Sequence, residues 1–146
     1  MTTLKDFQTL AASAEGLGVV STLRVDGGVH ASVVNLAVVP HPLDDGSVVA
    51  FVTAGKVKLH NLRTRPRLAA TARAGWSWAT VEGKAEIIGP DDHHPAFDPE
   101  RTRMLLRQIF VAAGGRHGDW EEYDRVMAKE RRAAVLVRPQ RVYGVG

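Results

Sequence analysis

The sequence predicts a mainly β chain with added helices, its antiparallel sheet closed into a barrel or folded into a sandwich. Three observations predict it. Apolar runs of strand length follow one another, and most are joined only by short turns, so neighbours pair antiparallel. Two capped amphipathic helices stand together late in the chain. Strands and helices do not alternate as βαβ units, which argues against a doubly wound parallel sheet.

The elements are read in order. "TLKDFQTLAAS" is a short amphipathic helix: Thr3 and Asp6 have capping-box spacing, and Leu4, Phe7, Leu10 and Ala11 share a face. "GVVSTLRV" and "VHASVVNLAVV" flank "DGG", a tight-turn signal, and read as a hairpin. "HPLDDG" is a second turn and leads into the strand "SVVAFVTA". "KLHNLRTRP" has room for one or two helical turns, bounded by Pro66, which disfavours helix at Arg65. "LAATARA" and "SWATVEGKAEIIG" are two strands joined at Gly75. Asp98 as N-cap with Pro99 after it opens the helix "ERTRMLLRQIFVAAGG". Asp119 with Glu122 opens "WEEYDRVMAKERR", and "AAVLVRPQRVYGV" is a last strand and tail. The total is about six strands.

A chain of 146 residues is expected to form a single domain over 1–146. Its 45% hydrophobic and 24% charged residues are those of a soluble globular protein. There is no cysteine, so disulfides, thiolate chemistry and thiolate metal sites are excluded, and a reducing cytoplasm is the expected location. The longest apolar run, "VVNLAVV", is strand-sized, so no membrane span is expected. The N-terminal "ASA" lacks the continuous apolar stretch of an export signal before it. The six histidines show no ligand spacing, so they read as surface or loop residues and no metal is expected.

The charge distribution is uneven. No Asp or Glu stands between Asp45 and Glu82, yet "KVKLHNLRTRPR" in that interval carries Lys56, Lys58, Arg63, Arg65 and Arg67. One reading is a solvated face. The other is an anion site, in which ammonium and guanidinium donors join the unpaired N–H groups at the start of a short helix. Asn61 adds an amide donor or caps the local turn. Nucleic-acid binding is a third reading, with Trp76 or Trp78 stacking on bases. The cations sit in one short connector and do not track along a groove, which weighs against it.

The segments "DGGVHASVVN", "KVKLHNLRTRPRLA", "GWSWATVEGKAEI", "GDWEEYDRVM" and "RPQRVYG" run in order over nearly the whole chain. Together they resemble the flavin/deazaflavin oxidoreductases of the pyridoxamine-phosphate-oxidase-like split barrels, and more narrowly the branch that binds coenzyme F420. The resemblance implies a six-stranded split β-barrel, a homodimer, and a cofactor groove between subunits. It implies cofactor contacts from Lys58 and Asn61, with Arg63 in the same motif and Lys56 beside it. Ser32 and Asn35 would lie on the strand beneath the ring system. Thr53 would meet the ring's polar edge, and Trp76 and Trp78 would stand near the groove. For both tryptophans, packing in the core or between subunits is the alternative.

F420 carries a ring system, a phosphodiester and a polyglutamate tail, so it needs an apolar slot and fixed cations. The implied activity is hydride transfer to a small conjugated acceptor such as an enone, quinone or tetrapyrrole. The hard chemistry belongs to the cofactor, which accounts for the absence of any nucleophile–base pair. FMN is the alternative cofactor, and a non-catalytic F420 carrier the alternative role.

Overall fold

The computed structural model describes residues 1–145. Four helices, α1 (Leu4–Ser13), α2 (Lys56–Thr64), α3 (Pro99–Ala112) and α4 (Trp120–Lys129), decorate one antiparallel sheet. Its strands are β1 (Leu17–Leu23), β2 (Val29–Asn35), β3 (Ala37–Pro40), β4 (Ser47–Thr53), β5 (Arg67–Ala74), β6 (Ser77–Ile88) and β7 (Ala133–Val145). They lie in the order β2-β1-β5-β6-β7-β4-β3, which leaves β2 and β3 as free edges.

There are seven strands, one more than the sequence predicts. "VHASVVNLAVV" is two strands, because the chain changes partner at Leu36. β2 pairs with β1, whereas β3 pairs with β4. The Leu36 N–H between them donates to the Gly16 carbonyl at 2.5 Å. Gly16 has φ +78°, and a Cβ there would stand 2.5 Å from the Ala113 carbonyl oxygen, so only glycine fits the junction. β7 runs unbroken through Pro139, where a bulge opposite Glu82 and Gly83 tolerates the missing N–H.

The helix caps form as local chemistry dictates. Thr3 and Asp6 make a reciprocal capping box on α1. Asp98 accepts from the Arg101 N–H with Pro99 in the first turn of α3, and Asp119 accepts from the Glu122 N–H on α4. In the β1–β2 turn, Asp26 Oδ1 accepts from the Gly28 N–H at 2.8 Å and Gly27 has φ +86°.

Two apolar layers result. The barrel interior holds Phe7, Val20, Phe51, Leu62, Val81 and Val135, with α1 and α2 contributing. The second packs α3 and α4 on the other face of β3, β4 and β7, around Val48, Leu106, Ile109, Tyr123 and Leu136. The outer face of β1 and β2 receives no such cover. There Val19 faces Val33 across the pair, and they are 40% and 65% exposed. Leu17 and Val29 add to that apolar patch.

Two histidines bear on the expectation of surface or loop roles: His30 stands on strand β2, and His41 is in a loop without being at the surface. His41 lies in the β3–β4 turn but is buried. Its Nδ1 accepts the N–H groups of Leu43 and Asp44, and Nε2 faces Glu86 Oε1 at 3.2 Å. The ring therefore satisfies backbone donors that a tight turn leaves unpaired.

Candidate functional site

β4 ends at Thr53, and Gly55 turns the chain into α2. The helix has nine residues, slightly more than the one or two turns expected, because it begins at Lys56 immediately after that glycine. No side chain caps its N-terminus and no acid lies in its first turn. Its first N–H groups are therefore left for another acceptor.

Lys58 is 5% exposed, and its Nζ donates to Ser32 Oγ at 2.7 Å. The bond links α2 to edge strand β2. No carboxylate pairs with this ammonium among the described residues; burial alone holds its pKa below the ordinary 10.5. An ammonium has three protons, and only one acceptor is seen here. Thr53 Oγ1 accepts from the Gly55 N–H at 3.0 Å. A Cβ on Gly55 would stand 3.1 Å from Lys58 Nζ and 3.2 Å from Thr53 Oγ1. Ser32, Thr53, Gly55 and Lys58 thus form one compact cluster.

The other residues of the basic connector have different surroundings. Lys56 is exposed at the start of α2. Asn61 is buried; its Nδ2 donates to Thr22 Oγ1 at 3.1 Å, and its Oδ1 accepts from Arg65 at 3.4 Å. Arg63 forms a two-pronged ion pair with Asp92, at 2.8 and 2.7 Å. Asp92 raises the Arg63 pKa, and the pair ties α2 to the loop after β6. Arg65 Nε donates to the Leu23 carbonyl. The carboxylate missing from the local sequence is supplied to Arg63 from 29 residues away.

Ser32 and Asn35 are both on β2 but three residues apart, so the period of two turns them to opposite faces. Asn35 is exposed, and its Nδ2 donates to the Glu15 carbonyl at 3.2 Å. Trp78 is partly buried and meets Tyr143 edge to face, with centroids 6.1 Å apart. Trp76 at the β5–β6 turn is 96% exposed, which corrects the core alternative for that ring: a turn tip has no layer above it.

The period of two also adds a residue that the sequence reading passed over. His30 shares the Ser32 face of β2, and its buried Nδ1 has no hydrogen-bond partner. It and Gly55 are discernible in the sequence only once Ser32 and Lys58 are known to meet.

Two larger cavities, of about 780 and 670 Å³, flank α4. Asn35 lines the smaller one; Lys58 and Ser32 line neither. The Lys58 cluster sits between β2 and the β4–α2 junction, apart from both cavities. Among the described residues no group of His, Cys, Asp and Glu is placed to hold a metal ion.

Comparison with known proteins bears on this arrangement. Residues 5–146 match the family described as Pyridoxamine 5'-phosphate oxidase. A conserved hypothetical protein from Mycobacterium tuberculosis is similar in structure, with 20% identity and TM-score 0.69, over 99% of this chain and 84% of that one. A structure described as an F420 reductase shares 19% identity over 87% of this chain and 88% of its own, with TM-score 0.58. A pyridoxamine 5'-phosphate oxidase-related, FMN-binding protein from Nostoc punctiforme shares 12% identity over 99% of this chain and 86% of its own, with TM-score 0.64. At these identities the likeness is one of fold: a mostly β, split-barrel architecture.

Proposed function

Because the chain belongs to the pyridoxamine 5'-phosphate oxidase family, we propose that it is a cytoplasmic oxidoreductase, one split-barrel domain over 1–146, that binds coenzyme F420 through the cluster around Lys58. The observation that carries the reading is the buried, uncompensated ammonium. A cation taken out of water without a carboxylate is costly unless an anion completes its shell. The uncapped start of α2 adds backbone donors at the same place.

In this reading Lys58 takes an anionic oxygen of the cofactor, and Ser32 holds the ammonium in place from β2. Thr53 offers a hydroxyl beside it, and exposed Lys56 meets the outer part of an anionic chain. Asn61, Arg63 and Arg65 act on α2 itself, keeping Lys58 in register through Thr22, Asp92 and Leu23. When bound, the reduced deazaflavin supplies a hydride to a conjugated acceptor such as an enone, quinone or tetrapyrrole. No side chain is assigned as catalytic acid or base; the proton comes from solvent.

The split is open on a single chain, so a second copy is the proposed second wall. The bare apolar outer face of β1 and β2 supports a homodimer, since patches of this kind mark interaction surfaces. Trp78, Trp76 and Asn35 would then act from the side that faces the partner.

FMN is the second reading, favoured by the family match and by the terminal phosphate it would offer to the same ammonium. Titrating the protein with F420 and with FMN, followed by fluorescence, separates the two. Failure of both to bind would end the redox reading. Consumption of reduced F420 in the presence of an acceptor panel then separates an enzyme from a carrier, which would bind without turnover.

A further inference from the structure

We propose that the cavity of about 780 Å³ between α3, α4 and the loop after β6 is a second small-molecule site, one that takes an uncharged ligand with an apolar ring-bearing body. Its volume is that of ordinary ligand pockets. Its walls include Ile88, Phe97, Leu106, Met127 and Ala128. Lys58 and Ser32 do not line it, so the inference stands apart from the redox reading.

The class of ligand follows from charge. Every cation on the lining is already paired: Arg131 with Asp91, Arg132 with Glu130, and Arg103 with Glu100 and Asp124. The lining carboxylates are equally committed. Asp92 holds Arg63, Asp124 holds Arg103 and Arg107, and Asp98 caps α3. An ionic ligand would compete with these partners for the same groups, whereas an uncharged one leaves them intact. His93 and Thr102 remain as hydrogen-bonding groups on the lining.

The packing of α4 gives a separate reason. This helix of ten residues buries only Tyr123. Its Met127 is partly buried, packs with Trp120 and Tyr123 against the α3 layer, and also borders the cavity, so the apolar layer reaches the cavity wall. A ring-bearing ligand against Leu106 and Met127 extends that layer.

Nile red, an uncharged flat fluorophore, is the probe. The protein should bind it saturably, one per chain, with enhanced emission. Ala128→Trp, an exposed position on α4, and Thr102→Trp on the opposite wall should each weaken it by at least about tenfold. The sulfonated 8-anilinonaphthalene-1-sulfonate should bind at least about tenfold more weakly than Nile red. Non-saturating emission, or affinity within about twofold of the parent in either variant, would overturn the site. Dye binding abolished by Val33→Asp would place the probe on the outer face of β1 and β2 and would overturn it too. Equal or tighter binding of the sulfonate would overturn the uncharged class.

Discussion

Lys58 and Ser32 meet across the split of the barrel: the ammonium of a residue on α2 donates to the hydroxyl of a residue on edge strand β2, at 2.7 Å. The two lie 26 residues apart, and their contact joins the β4–α2 junction to the far edge of the sheet. It brings a cation into a place where no carboxylate answers it.

That cation should weaken the ligand-free fold. Replacing a buried, unpaired charge by an apolar side chain of similar length is commonly neutral or stabilising. Lys58→Met is therefore expected to raise the melting temperature of the ligand-free protein, by about 2–4 °C for each kcal/mol regained. Differential scanning calorimetry checks this, and a lower melting point would mean that the bond to Ser32 outweighs the cost of burying the charge.

Binding should depend on pH with a definite sign. Burial places the Lys58 pKa below 10.5 in the folded state, so the charged form is complete only below that lowered value. Anion affinity should be full well below the lowered pKa and fall as pH rises through it, before free lysines titrate. The stability penalty moves the opposite way: it is present below the lowered pKa and relieved as pH rises toward 10.5. Cofactor titrations across alkaline pH read the first effect. Affinity that falls only in the range of exposed lysines would assign the contact to Lys56.

Arg63 should behave unlike Lys58 although both lie in the basic connector. Its charge is engaged by Asp92, with the arginine 39% exposed. Asp92→Asn should cost about 0.5–1 kcal/mol of stability, as exposed two-pronged pairs do. It should leave cofactor affinity within about threefold, a change below 1 kcal/mol. Chemical denaturation together with a cofactor titration reads both quantities.

Acid stability should report on Asp124. Hydrogen bonds from Arg107 and then Arg103 hold its pKa below 3.8, so its contribution is present above that value and is lost as pH falls through the lowered one. Asp124→Asn should reduce stability at pH 7 and flatten the loss below about pH 4, where the parent carboxylate begins to protonate. Melting curves from pH 7 to pH 2 test it; parallel curves would remove Asp124 from the link between α3 and α4.

Much of the architecture is legible in the sequence because its signals are local. The caps at Thr3, Asp98 and Asp119 lie within three residues of the N–H groups they accept. The break at Leu36 is not legible, since it depends on Gly16 and on which neighbour each half of the run finds. In the candidate site, Lys58 stands out by charge, and Ser32 by the resemblance of its segment. The engagement of Arg63 is hidden because Asp92 arrives from beyond two strands. The opposite facing of Ser32 and Asn35 is hidden for a different reason: a motif gives proximity along a strand, not the face on which a side chain emerges.

The outer face of β1 and β2 makes a clear forecast about assembly. Val33→Asp places a charge in the middle of the exposed apolar patch, opposite Val19. Sedimentation should show a dimer for the parent and a monomer for the variant. A parent that is already monomeric would exclude a subunit groove.

The most direct measurement is the affinity of reduced F420 for the parent protein and for Lys58→Ala, followed by cofactor fluorescence at neutral pH. Losing one charge-assisted contact should cost about 1.5–3 kcal/mol, a fall of about ten- to a hundredfold. Equal affinity in the two proteins would contradict the account, because the buried ammonium beside Ser32 would then have no part in holding the coenzyme.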